Sequence, residues 1–291
     1  MSFAMLAKGS AAIAAALTPL VWFAGAGHDR SPTRDPIAVV RIDPGAFAYR
    51  QSGEFDRDGQ PVNAPQRATR FDRPFFMMTT QVSAALYRRC VAAGACAPLG
   101  RSGSARADLP AVGVSWRDAT AFAQWLSRET GQSWRLPTDA EWAFAAGARF
   151  TDDAVVETDG SFAQRWLTKY DQETALAQSL PAAPQPFGAF GANERGLEDL
   201  SGNVWEWTDT CFERQALDAS SRPTAPPVVN CGVKVVEGAH RAYVSDFVRD
   251  ARAGGCSVGA PPSHLGFRLV RDEPGLIAAT LRLLRGAGRR G

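Results

Sequence analysis

Charge of one sign, histidine and metal-type cysteine spacing are what this chain has little of. Its 291 residues carry 32 basic against 30 acidic side chains, a net charge of +2, with three His, four Met and five Cys. So small a net charge excludes the strong positive field that gathers nucleic-acid phosphates, and no nucleic-acid partner is expected. Three His are too few for a dedicated His-rich metal centre, and the cysteine spacings match no zinc ribbon. No internal repeat or low-complexity tract stands out in the body. The apolar run Ala11 to Ala26 (AAIAAALTPLVWFAGA) is short for a membrane-spanning helix. What the chain does have is eight Trp, 27 Gly and 19 Pro within a hydrophobic fraction of 45%. That composition describes a sizeable core carried on many turns and much irregular backbone.

The apolar run follows Lys8 and ends in the small-residue pattern Ala24-Gly25-Ala26, which reads as a secretory signal over residues 1–26 with cleavage after Ala26. An uncleaved membrane anchor is the alternative. Either places the body in an exported, oxidising compartment, periplasmic or secreted. Residues 27–36 are a polar, Pro-containing lead-in, 37–272 the body, and 273–291 a basic tail. In the tail Leu276, Ile277, Leu281 and Leu284 share one helical face beside Arg282, Arg285, Arg289 and Arg290. The tail either docks on the body or serves as a partner or membrane-surface helix. The cysteines agree with export. Cys90 and Cys96 are close enough for a local bridge at a helix end, and Cys211 and Cys231 bracket a Ser/Pro-rich loop. Such bridges would contribute about 2 and about 3 kcal/mol through loop closure. Cys256 is left over, either a small buried side chain or a reactive thiol.

Within the body, strands are expected at Ile37–Ile42, through Phe47 and Tyr49, at Phe71–Met78, Ala111–Trp116, Val233–Val236, Ala242–Val248 and Gly266–Val270. Helices are expected from Ser83 to about Ala93 and from Ser115 to Gly131, the second with Ala119, Phe122, Trp125 and Leu126 on one face. A third should follow the Thr138-x-x-Glu141 capping box and end at Gly147. Gln51 to Gln66 reads as a polar loop, and Phe150 to Ala192 as long irregular structure. The mixed order argues an α+β domain.

The densest stretch is Asp199-Leu-Ser-Gly-Asn-Val-Trp-Glu-Trp207. Carboxylates are rarely buried unless paired or metal-bound, while Trp is mostly buried. Two readings stand. Asp199 and Glu206, with carbonyls exposed by the Gly202-Asn203 turn, form an oxygen-rich, calcium-like set; or the acids are satisfied by Arg and backbone N–H groups in a buried turn.

Several segments in fixed order resemble the formylglycine-generating enzyme (sulfatase-modifying factor) family: GVSWRDATAFAQWL with RLPTDAEWAFAAGAR at 113–149, GLEDLSGNVWEW at 196–207 and GFRLVRD at 266–272. With the early strand and the RRCVAAGAC segment, the resemblance covers roughly 37–272. It implies a C-type-lectin-like α+β fold, the formylglycine-generating-enzyme fold, with little regular secondary structure. It also implies a structural calcium held by the Asp199 and Glu206 side chains and the Gly202 and Val204 carbonyls. The family's catalytic part does not carry over. Its catalysts follow an Arg-Gly-Gly-Ser-Trp-like segment with two copper-binding, oxidising cysteines, whereas Val236 to Arg252 here contains no Cys. Without thiolates there is no soft Cu(I) site.

In place of those cysteines stand Glu237, His240, Arg241, Tyr243, Asp246, Arg249, Asp250, Arg252 and Cys256. His, Asp and Cys are types that transfer protons or form covalent bonds, so a tentative catalytic set is His240, Asp246, Arg249 and Cys256, with Trp205 as a pocket wall. The bland reading makes His240 a hydrogen-bonding loop residue and Asp246 and Arg249 structural ion-pair partners. This stretch resembles the divergent PvdO/NirV-like branch. That resemblance implies an exported maturation or accessory protein, either an oxidative tailoring enzyme for a siderophore or partner metalloenzyme, or a non-catalytic assembly factor, for example beside a copper nitrite reductase. A monomer is expected, with any redox metal and the partner unidentified.

Overall fold

A computed structural model describes residues 37–100, 106–152, 161–251 and 264–273. Strands β1 (Val39–Ile42), β6 (Phe75–Met78), β7 (Trp134–Arg135) and β12 (Val270–Asp272) form a four-stranded sheet in the order β1-β6-β12-β7. Both ends of the body thus lie in one sheet, with Met77 and Val270 fully buried. A second sheet is built on a long antiparallel hairpin, β8 (Trp205–Ala216) with β9 (Val228–Glu237). It is widened by β10 (Ala242–Ser245) on one side and by β3 (Glu54–Arg57) and β4 (Gln60–Val62) on the other, while β11 (Leu265–Gly266) runs parallel to the start of β8. Strands β2 (Gly45–Arg50) and β5 (Gln66–Phe71) pair separately.

The helices are α1 (Ala84–Ala92), α2 (Trp116–Thr130), α3 (Asp139–Ala146) and α4 (Phe162–Gln178). Two reciprocal caps start α2 and α3. Ser115 and Asp118 exchange side-chain and backbone bonds, as do Thr138 and Glu141, which satisfies amides that a helix start leaves orphaned. Gly131 ends α2 at φ 66°, a left-handed position that glycine adopts without strain. The apolar face of α2 enters the main core, where Phe122 stacks on Tyr87 at 5.6 Å and meets Phe267 edge-on at 5.3 Å. Helix α3 is buried along nearly its whole length, so it has no solvent face to show in its pattern.

The structure differs from the sequence reading at several places. The polar loop 51–66 contains the β3–β4 hairpin, turned by Asp58 and Gly59, both at positive φ. Phe71–Met78 is two strands separated around Pro74, which has no N–H for a ladder. Residues 111–115 are buried but in no strand. Helix α4 lies inside the stretch expected to be irregular. Gly266–Val270 is split between β11 and β12, because Phe267 to Leu269 turn between the two sheets. The leader, the lead-in and the tail from 274 lie outside the described residues. No described helix is long and apolar enough to cross a membrane.

Candidate functional site

The Asp199–Trp207 turn reverses the chain into β8. Asp199 and Ser201 sit at φ 58° and 59°, and a Cβ on Gly202 would come 2.5 Å from the Phe190 ring, so only glycine fits there. Asp199 accepts the Phe190 amide on Oδ1 at 2.9 Å and the Gly188 amide on Oδ2 at 2.7 Å. Glu206, 1% exposed, is the hub. Arg268 donates to it twice, Nε to Oε2 at 2.6 Å and Nη2 to Oε1 at 2.7 Å. Trp142 Nε1 adds a bond to Oε2 at 2.8 Å and Gln81 Nε2 one to Oε1 at 2.7 Å. Arg268 also donates to the carbonyls of Thr79 and Glu198, tying α3 and both sheets to one buried ion pair.

This arrangement does not fit calcium at the expected place. All four acceptor directions of the Glu206 carboxylate carry N–H donors, and the Arg268 guanidinium already supplies the positive charge. Gln81 Oε1 is buried without a hydrogen-bond partner, a single neutral oxygen where calcium takes roughly six to eight. Gly202 and Val204 are buried in the same turn. Among the described residues no group of three or more His, Cys, Asp or Glu is placed to hold a metal.

A second buried charge cluster forms where β9 ends. Arg241 Nε donates to Glu237 Oε1 at 2.8 Å and lies 3.3 Å from Asp139 Oδ1, while Nη1 donates to Arg50 O at 3.2 Å. All three charged side chains are at most 2% exposed. Burial raises the Glu237 carboxyl well above the usual range. Arg241 opposes that, and a hydrogen bond shared with Asp139 adds to it. The Tyr49 phenol is raised as well, by burial first and then by Asp139. The sequence points to Glu237 and Arg241 but not to Asp139 as their partner, whose only local signal is the helix start at Thr138.

The tentative catalytic residues divide. His240 is buried, with its ring edge-on to Trp205 at 5.3 Å between centroids. Trp205 Nε1 donates to His240 O at 3.1 Å, and His240 Nδ1 lies 3.0 Å from Arg241 O. Gly238 permits this contact, since a Cβ there would fall 2.8 Å from Trp205 Cδ1. Asp246 instead receives Arg117 Nε at 2.9 Å and Nη2 at 3.2 Å. Arg249 donates to Asp118 Oδ1 at 2.9 Å and to Pro98 O at 2.7 Å. Asp246 and Arg249 thus clamp the start of α2, while His240 packs on β8. Cys256 lies outside the described residues. The Tyr243 hydroxyl accepts the Gly53 amide at 2.7 Å and donates to Gly53 O at 3.4 Å.

The body is mixed α/β, its sheets joined by the GNVWEW turn and the GFR arginine. Over residues 27–273 the sequence matches the sulfatase-modifying factor enzyme 1-like domain, and the chain belongs to that family. The formylglycine-generating enzyme of Mycobacterium tuberculosis is 32% identical over 198 residues, 62% of this chain and 64% of that protein. The inactive C-alpha-formylglycine-generating enzyme 2 of Mus musculus is 36% identical over 123 residues, 38% of this chain and 35% of that protein. The chain spans less than two thirds of the length of either. The structure of PvdO from Pseudomonas aeruginosa aligns with a TM-score of 0.49 at 22% identity, covering 81% of this chain and 94% of that one.

Proposed function

We propose that this protein is an exported maturation or accessory member of its family that does not generate formylglycine and acts by holding a partner protein or a siderophore-type molecule. The observation that carries the reading is the disposition of its cysteines. Cys90–Cys96 and Cys211–Cys231 are disulfides, so four of the five sulfurs are tied up and Cys256 alone remains. The family's oxidation, as the resemblance implies it, needs a pair of thiolates for copper, and one free thiol per chain does not make a pair. Two disulfides also suit an exported, oxidising compartment. The ion pairs of Asp246 and Arg249 favour the holding role over an oxidative tailoring enzyme, because both side chains are occupied in bracing α2. The experiment is to incubate copper-supplied protein with a peptide carrying a sulfatase-type cysteine and to follow that cysteine by mass spectrometry. The cysteine should be recovered unconverted; conversion to an aldehyde would overturn the proposal.

A further inference from the structure

The Cys211–Cys231 disulfide is asymmetric in a way that the family's chemistry does not use. Cys231 is exposed, whereas Cys211 is half-buried at an irregularity of β8, with register shifts on either side of it. In the ladder Cys211 faces Lys234, whose side chain is 6% exposed. Lys234 Nζ lies 3.4 Å from Cys211 Sγ, 3.2 Å from Asp209 O and 3.4 Å from Asp209 Oδ1, and 4.2 Å above the centre of the Trp116 ring. The Asp209 carboxylate beside it is half exposed. A largely desolvated ammonium is thus held against the Cys211 sulfur of the bridge.

We propose that Cys211–Cys231 is a thiol-exchange site with a fixed direction, in which an external small thiol or dithiol attacks Cys231 and Lys234 stabilises Cys211 as the leaving thiolate. A disulfide opens fastest when the attacked sulfur is accessible and the departing one is a stabilised anion. The incoming thiolate forms a new S–S bond to Cys231 Sγ. The Cys211–Cys231 bond breaks, and its electron pair stays on Cys211 Sγ beside the ammonium. With a dithiol, the second thiol then displaces Cys231, which takes a proton from solvent. The protein disulfide is thereby reduced by two electrons and the dithiol is oxidised to its own disulfide. Lys234 is a positioning residue in this scheme. Cys90–Cys96 is an internal contrast, because Cys90 is fully buried and Cys96 nearly so.

The test uses the folded, unreduced protein and glutathione. After acid quenching and alkylation, peptide mapping should find glutathione on Cys231 and the alkyl group on Cys211, with Cys90–Cys96 intact. Lys234→Met should slow the exchange on the order of five- to tenfold at neutral pH and even out the site of attack, while Lys234→Arg should restore both. Glutathione on Cys211, an even split in the wild type, or an unchanged rate in a folded Lys234→Met would overturn the proposal. Should Lys234→Met fail to fold, the wild-type adduct position decides by itself.

Discussion

At the scale of single residues, two buried charge clusters behave oppositely. The Glu206–Arg268 pair is fully satisfied, so its removal from one side is costly. Arg268→Met leaves Glu206 buried among neutral donors and should destabilise the protein by about 3–5 kcal/mol, read from denaturant unfolding. In the Glu237 cluster, burial raises the Glu237 carboxyl. Its folded pKa lies above the unfolded value, so its stabilising contribution is full below the ordinary carboxylate range and is lost as pH rises through the raised value. Melting temperature should therefore fall from mildly acidic toward alkaline pH. Glu237→Gln, which mimics the protonated form, should flatten that slope; an unchanged slope in the variant would remove Glu237 as its source. Little of this was legible beforehand. The sequence marks Glu206 as an unusual acid among tryptophans, but its partner Arg268 is 62 residues away, and Asp139 is 102 residues from Arg241. Pairings over such distances exist only once the sheets have formed.

At the scale of elements, local chemistry was readable where it is self-contained. The capping boxes at Ser115 and Thr138 and the Gly131 stop mark α2 and α3 within a few residues of their observed ends. Ser115→Ala should cost about 1 kcal/mol and Gly238→Ala about 1–3 kcal/mol, the latter by forcing the Trp205 ring aside; thermal melts compare both with the wild type. The misses have physical reasons. The Asp58-Gly59 pair is a strong hairpin signal that the polar surroundings hid, and both residues take the positive φ that such a turn requires. The first four residues of β8 are buried on both faces, so they show no alternation. On α4, Trp166, Leu167 and Tyr170 are exposed, which blurs the apolar stripe that would identify a helix.

At the scale of the whole molecule, the fold is that of the family. The ordered landmarks were enough to read the α+β fold and the family from sequence, because those segments make the hub that joins the sheets. The calcium expected at Asp199 and Glu206 meets a guanidinium and four N–H donors instead. Melting the purified protein with and without a chelator should accordingly give the same midpoint, and a fall of several degrees with chelator would return a metal to the hub. Opening the Cys211–Cys231 bridge alone should lower stability by about 3 kcal/mol, since it closes the longer of the two loops. The central claim is that a formylglycine-enzyme fold here offers no thiolate pair for copper. Its most direct measurement is a Cu(I) titration of the unreduced protein against a competing chelator. The account predicts no tight one-to-one complex at any concentration where the chelator holds its copper. A stoichiometric complex with a thiolate charge-transfer band would contradict it.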